Sequence, residues 1–204
     1  MKGKKRLAIA AILVAGAIAL TGCSSSSGDS LASQYKDGGT KNYIAGDGSV
    51  TEITLKNRGK VIDFSGTTED GQKVDSADYR GQVVVVNFWY AGCPPCRSEA
   101  RELESIYKQN QGTGVNFLGV NIYDSADTAI AFEKSFGITY PSILDRSTGS
   151  VLLAFSGSVP PKATPTTIVL DKEGRVSARI LGPVQSPSIL TSLIQTASSE
   201  KYTP

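Results

Sequence analysis

Four consecutive valines, Val83 to Val86, run into Asn87-Phe88-Trp89 with no polar alternation. A β-branched run of this kind suits a strand buried on both faces, and such a strand requires a sheet covered by a layer on each side. Cys93-Pro94-Pro95-Cys96 follows and opens a helix, with Ala100, Leu103 and Tyr107 on one face and Gly112 and Gly114 as the stop. The cysteine pair therefore falls where a buried strand hands over to a helix.

The pattern continues as an α/β domain. Val115 to Asn121 reads as a second buried strand. Ser125 is placed to cap another helix, with Ala129, Phe132 and Phe136 inward and Gly137 just past its end. Thr166 to Leu170 is a third strand, Asp171-Lys172-Glu173-Gly174 a turn, and Arg175 to Leu181 the antiparallel return. Ser186-Pro187 opens a last helix carrying Leu190, Leu193, Ile194 and Ala197. The order β-α-β-α, then β-β-α, predicts a central mixed sheet flanked by helices, parallel with an antiparallel edge. Val50 to Leu55 alternates and is read as an edge strand added before the main domain. No internal repeat or second domain is visible, and residues 49–204 are read as one domain.

The first residues bear on the compartment. Lys2, Lys4, Lys5 and Arg6 precede an apolar run from Leu7 to Leu20, short for a bilayer span and suited to the core of a signal peptide. The run ends in Leu20-Thr21-Gly22-Cys23, which resembles the lipobox of bacterial lipoproteins. That resemblance implies a signal peptide over residues 1–22, cleavage after Gly22 and a lipid on Cys23. Residues 23–48 are Ser/Gly/Asp-rich and read as a flexible tether. The other reading is an uncleaved helix with a coincidental cysteine at its end; both readings export the domain and hold it at the membrane. Removing residues 1–22 takes four of the 21 basic residues and none of the 19 acids. The near-balance that remains lacks the basic surface that nucleic acid requires.

With Cys23 lipidated, Cys93 and Cys96 are the two remaining thiols, and the chain has no histidine. A zinc site lacks two further ligands, and covalent haem attachment needs histidine at position 97, which is arginine. A bridge across two residues closes almost no loop and adds little as a staple. Exchange chemistry fits better. The first turn of a helix offers free N–H groups and the positive end of the macrodipole, which stabilise a thiolate at Cys93. Pro95 is tolerated there and stiffens the turn; Arg97 adds a positive charge whose direction is open. An exposed Cys93 attacks a substrate disulfide, and Cys96 resolves the mixed disulfide; run backwards, the steps oxidise a dithiol.

These residues resemble the thioredoxin superfamily, and within it the membrane-tethered ResA/TlpA-like group. Asp63-Phe64 with Asp70-Gly71-Gln72-Lys73-Val74 looks like that group's entry hairpin, and Gly81 to Trp89 like its central strand. The likeness covers about residues 60–198. Thr164-Pro165-Thr166 looks like the family's cis-proline loop, which lies against the active cysteines. The resemblance implies catalytic roles for Cys93, Cys96 and Glu99, and substrate contacts from Trp89, Pro94, Pro95, Thr164 and Pro165. Glu99 stands one helical turn beyond Cys96. It is either the base that takes the Cys96 proton, if burial raises its pKa, or a solvated glutamate favouring the helix start. Two departures stand out: Asn87 where many thioredoxins carry aspartate, and Gly92 where tryptophan commonly precedes the first cysteine. Ala154 to Ala163 reads equally as a substrate-facing loop or a plain connector.

The resemblance implies a redox-active cysteine pair with no further cofactor, acting on thiols and disulfides of exported proteins at the extracytoplasmic face of the cell membrane. A reductase direction is expected, with apocytochrome c a candidate substrate and a transmembrane thiol carrier as electron donor. The alternatives are a dithiol oxidase, a thiol peroxidase on the same fold, and a non-enzymatic binding lipoprotein.

Overall fold

The computed structural model describes residues 48–158 and 163–202. The expected signal peptide, Cys23 and the tether up to residue 47 lie outside them, as do residues 159–162 of the loop before Thr164. In chain order the elements are β1 (Ser49–Glu52), β2 (Ser65–Thr67), β3 (Lys73–Asp75), β4 (Val83–Trp89), α1 (Pro94–Asn110), β5 (Val115–Asn121), α2 (Ala126–Phe136), β6 (Ser142–Leu144), α3 (Ser150–Ala154), β7 (Thr166–Leu170), β8 (Val176–Leu181) and α4 (Pro187–Ser199). Single 3-10 turns precede β2 and β4.

The valine run is the centre of the molecule. All seven residues of β4 are buried. Val83 and Val85 face α1 and α4, packing on Leu103, Ile106, Leu190 and Ile194. Val84, Val86 and Phe88 face the opposite layer, built from the β2–β3 hairpin and α3. There Phe155 lies 5.4 Å from both Phe64 and Phe88, joining hairpin, α3 and sheet in one aromatic cluster. The sheet runs β1-β8-β7-β4-β5-β6, with β4, β5 and β6 parallel and β7, β8 and β1 antiparallel to their neighbours. The mixed sheet is as the sequence predicts.

Two elements were not expected, β6 and α3, because three strand residues and five helical ones carry too little periodicity to read. The first strand is shorter than the alternating Val50 to Leu55 pattern, because Leu55–Asn57 turn into a 3-10 helix. Ser125 does stand at the N-cap of α2, but its side chain makes no capping bond to the backbone; its hydroxyl pairs with Thr128 instead. Gly137 closes α2 in the left-handed conformation, φ 72°.

The β7–β8 turn is held by a buried ion cluster. Asp171 accepts hydrogen bonds from the backbone of Glu173 and Arg175 and from the Arg175 and Arg58 side chains. Arg58 also forks onto Glu200, at 2.6 and 2.7 Å, which ties the N-terminal approach to the end of α4. Removing one partner of a buried pair strands the other charge, which costs about 3–5 kcal/mol. Asp171→Ala is therefore expected to lower the urea midpoint by an amount worth about that much at unchanged m-value. Asp63→Ala, which breaks the Arg80–Asp63 pair where Asp63 is exposed, should cost less than about 1 kcal/mol. Equal losses in the two variants would contradict this assignment.

Candidate active site

The chain leaves β4 at Trp89 and turns through Tyr90-Ala91-Gly92 before α1 begins. Asp124, beyond the end of β5, accepts from the Ala91 backbone N–H at 2.6 Å and from Asn121 Nδ2 at 2.8 Å. The rings of Tyr90 and Tyr123 meet edge to face at 5.0 Å. These contacts clamp the two loops that frame the cysteines.

Cys93 is the N-cap of α1, with Pro94 and Pro95 in the first turn. Its sulfur is bonded to that of Cys96 and accepts from the Cys96 N–H at 3.2 Å. This is the helix-terminal contact that stabilises charge on a thiolate. Thr164–Pro165 is a cis peptide, and the Thr164 carbonyl oxygen stands 3.9 Å from the Cys93 sulfur. The geometry brings Cys93, Cys96, Thr164 and Pro165 together. Pro94 is exposed and Pro95 half-buried at the mouth.

Two expectations change, and the open direction of Arg97 is answered. Cys93 was expected to be exposed, yet in this disulfide-bonded form it has no exposed surface, held between the helix start and the cis-Thr164–Pro165 segment. Trp89 was assigned to substrate contact; it is 4% exposed, with its ring 4.5 Å from Phe132, so it walls the space behind the cysteines. Arg97 points away from the sulfurs: it donates to the Ala91 carbonyl at 3.3 Å and lies 5.0 Å from the Phe136 ring centre. Among the described residues, no cluster of three or more potential metal ligands occurs.

Glu99 is 3% exposed, which decides between its two readings: it is not a solvated helix-start residue. Its carboxylate accepts from the Val184 N–H at 2.7 Å and from Asn87 Nδ2 at 3.0 Å, and Asn87 also donates to Thr167 Oγ1 at 3.1 Å. Burial pushes its pKa up to about 7, against the pull of those two hydrogen bonds. Asn87 cannot carry the proton itself, but by turning its amide it can donate to the ionised carboxylate or accept from the protonated one. Sequence reasoning singled out Glu99 but missed Val184 and Thr167, whose roles come from register across β4, β7 and the segment after β8.

A carboxyl whose pKa is about 7 folded and 4.5 unfolded stabilises the fold fully below pH 4.5, and that contribution is lost as pH rises through 7. Glu133, on α2, is shifted the same way to about 7, burial again being the main cause. Unfolding free energy should therefore fall between about pH 5 and pH 7 through both groups. Glu99→Gln should make that fall shallower without abolishing it, as read by urea unfolding at a series of pH values. An unchanged slope would show that Glu99 ionises normally.

Residues 54–194 match the Redoxin family. The chain is 35% identical to thiol-disulfide oxidoreductase ResA of Geobacillus thermodenitrificans over 127 residues, 62% of this chain and 70% of that protein. It is 31% identical to ResA of Bacillus subtilis over 120 residues, 59% of this chain and 64% of that protein. Among solved structures it resembles a secreted thiol-disulfide isomerase from Corynebacterium glutamicum, at 33% identity and a TM-score of 0.68, covering 80% of this chain and 100% of that one. A DsbF homologue from Corynebacterium diphtheriae follows at 32% identity and 0.63, covering 78% and 99%. With the fold and the cysteine setting described above, these likenesses identify the chain as a member of the Redoxin family, in the ResA/TlpA-like branch of the thioredoxin superfamily, and as a thiol–disulfide oxidoreductase.

Proposed function

We propose that this oxidoreductase works outside the cytoplasm as a reductase of disulfides in exported proteins, through Cys93 and Cys96, anchored to the membrane by a lipid on Cys23. The observation that carries the exchange chemistry is the placing of Cys93. It sits at the N-terminus of α1, receives the Cys96 N–H and faces the Thr164 carbonyl across a cis-Pro165 turn. In this reading Cys93 attacks one sulfur of the substrate disulfide, and the second substrate sulfur leaves with the electron pair and takes up a proton. Cys96 then attacks Cys93; the protein disulfide forms and the first substrate sulfur leaves. Thr164 offers its backbone to an extended substrate segment, cis-Pro165 sets the direction of that backbone, and Pro94 and Pro95 lie at the edge.

The electrostatics favour reduction. A thiolate-stabilising site makes a strong oxidant, because it stabilises the reduced form. Here Arg97, a cation on the first turn of α1, is turned onto aromatic rings, and the buried Glu99 adds negative charge behind Cys96 once ionised. The disulfide is thereby favoured over the dithiolate, so electrons flow out toward substrate. A transmembrane thiol carrier would restore the dithiol, and the name ResA borne by the relatives makes apocytochrome c the substrate to try first. The secreted isomerase resemblance is what supports the second reading, disulfide formation or shuffling in exported proteins.

Cys96→Ser, expressed in the exporting host, is expected to accumulate mixed disulfides through Cys93 with exported, cysteine-bearing proteins, separable on non-reducing gels and identified by mass spectrometry. Cys93→Ser in the same background should abolish them. Absence of adducts in Cys96→Ser, or their survival in the double variant, would contradict the proposal.

A further inference from the structure

Glu99 is sealed: both its oxygens are held by protein donors, so a proton that reaches it has no direct way out. Beside it lies a small cavity, the least that can hold one water molecule, lined by Cys96, Asn87, Trp89, Tyr140 and Ser142 among others. Ser142 is fully buried, and its hydroxyl has no hydrogen-bond partner of good geometry among the described residues. Glycine at 119 keeps this corner open, since a Cβ there would come within 2.2 Å of Ser142 Oγ and 2.7 Å of Trp89 Nε1.

Ser142 also neighbours Glu133. Its Oε1 likewise has no hydrogen bond of good geometry among the described residues, though the Ser142 hydroxyl is close enough to favour its ionised form. The charges facing it are Glu69 and Asp70 from the β2–β3 turn, both opposing its ionisation. Asp70 is exposed and Glu69 half-buried, so this end of the row reaches solvent. Glu69 also accepts from the Ser142 N–H at 2.9 Å, fixing β6 against the hairpin. Tyr140, fully enclosed near Glu99, Glu104 and Glu133, has its pKa raised by burial first, with those carboxylates adding. It therefore stays protonated and can donate. Arg97 lies over Phe132 and Phe136 on the same helix as Glu133, directed at the rings.

Buried hydroxyl and carboxylate oxygens without a well-formed hydrogen bond are rare and call for an explanation. Resting on the exchange reading above, we infer that Ser142 and Glu133 form a water-bridged proton path leading from Cys96 to solvent beside Glu69 and Asp70. When Cys96 attacks Cys93 in the mixed disulfide, the Cys93–Cys96 bond forms and the Cys93–substrate bond breaks. The electron pair departs on the substrate sulfur, which is protonated from bulk. The Cys96 proton passes to the cavity water, a proton of that water goes to Ser142 Oγ, and Ser142 hands its own hydrogen to the Glu133 carboxylate. Glu133 releases it outside. Glu133 is then a positioning residue that acts through Ser142.

The test uses the full chain with Cys23→Ser, reduced and mixed with excess oxidised glutathione, followed by the fluorescence of the single tryptophan, Trp89. The second-order phase reads attack by Cys93; the first-order limit reads resolution by Cys96. Glu133→Gln should slow the first-order limit about tenfold at neutral pH, less than the 10²–10⁴ of a base in direct contact with the reacting group, because Glu133 acts through Ser142 and the water. It should also remove an ionisation near pH 7 from that profile, leaving the second-order phase within twofold. Ser142→Ala should do the same, and the double variant should be no slower than either single one. A wild-type profile in Glu133→Gln, or slowing by one factor at every pH, overturns the path. A wild-type chain inert to glutathione would instead sink the exchange reading and the path with it.

Discussion

A carboxyl group sealed behind a disulfide is the constraint on which the rest of this site depends. Glu99 ties three parts of the fold together: it sits on α1, accepts from Asn87 on β4, and accepts from Val184 beyond β8. Each of those elements must be in register for the carboxylate to be satisfied. A buried charge that loses its partners costs several kcal/mol, so the triad both positions α1 and makes the reactive end of the helix sensitive to protonation. The same burial that makes Glu99 expensive as an anion brings its pKa to about 7, so its charge beside the helix start changes near physiological pH.

Much of this was legible because strong local signals coincide with the chemistry. The unbroken Val83 to Trp89 run can only be a strand covered on both sides, and the glycine after Phe136 can only end a helix tidily in the left-handed region. The likeness to known cis-proline loops identified Thr164–Pro165 correctly, though an X–Pro bond carries no such information by itself. Illegible were features set by tertiary contact. β6 exists because Gly119 to Asn121 offers it a parallel edge, and its three residues have no pattern of their own. Glu133 reads as an ordinary helix-surface acid one position beyond Phe132, and only tertiary contact, with Ser142 of β6 beside it, buries it. Whether Trp89 and Arg97 point toward or away from the sulfurs is a rotamer choice, settled by the aromatic wall of Phe132 and Phe136.

The site's electrostatics follow from these placements. One backbone N–H and the start of α1 favour a thiolate at Cys93, while a buried carboxylate and an averted arginine limit that gain. Replacing the commoner strand aspartate by Asn87 moves the titrating group from the strand to the helix and leaves the strand residue as a hydrogen-bond adaptor. The balance between helix dipole and buried acid then sets the direction in which disulfides exchange, since a less stabilised thiolate means a more stable disulfide.

That balance is measured most directly as the equilibrium reduction potential of the Cys93–Cys96 pair, in the full chain carrying Cys23→Ser and in defined thiol–disulfide buffers. A value near that of thioredoxin, about −270 mV, is predicted for a reductase of exported proteins. A value near that of the strong oxidant DsbA, about −120 mV, would contradict the account and make disulfide formation the function.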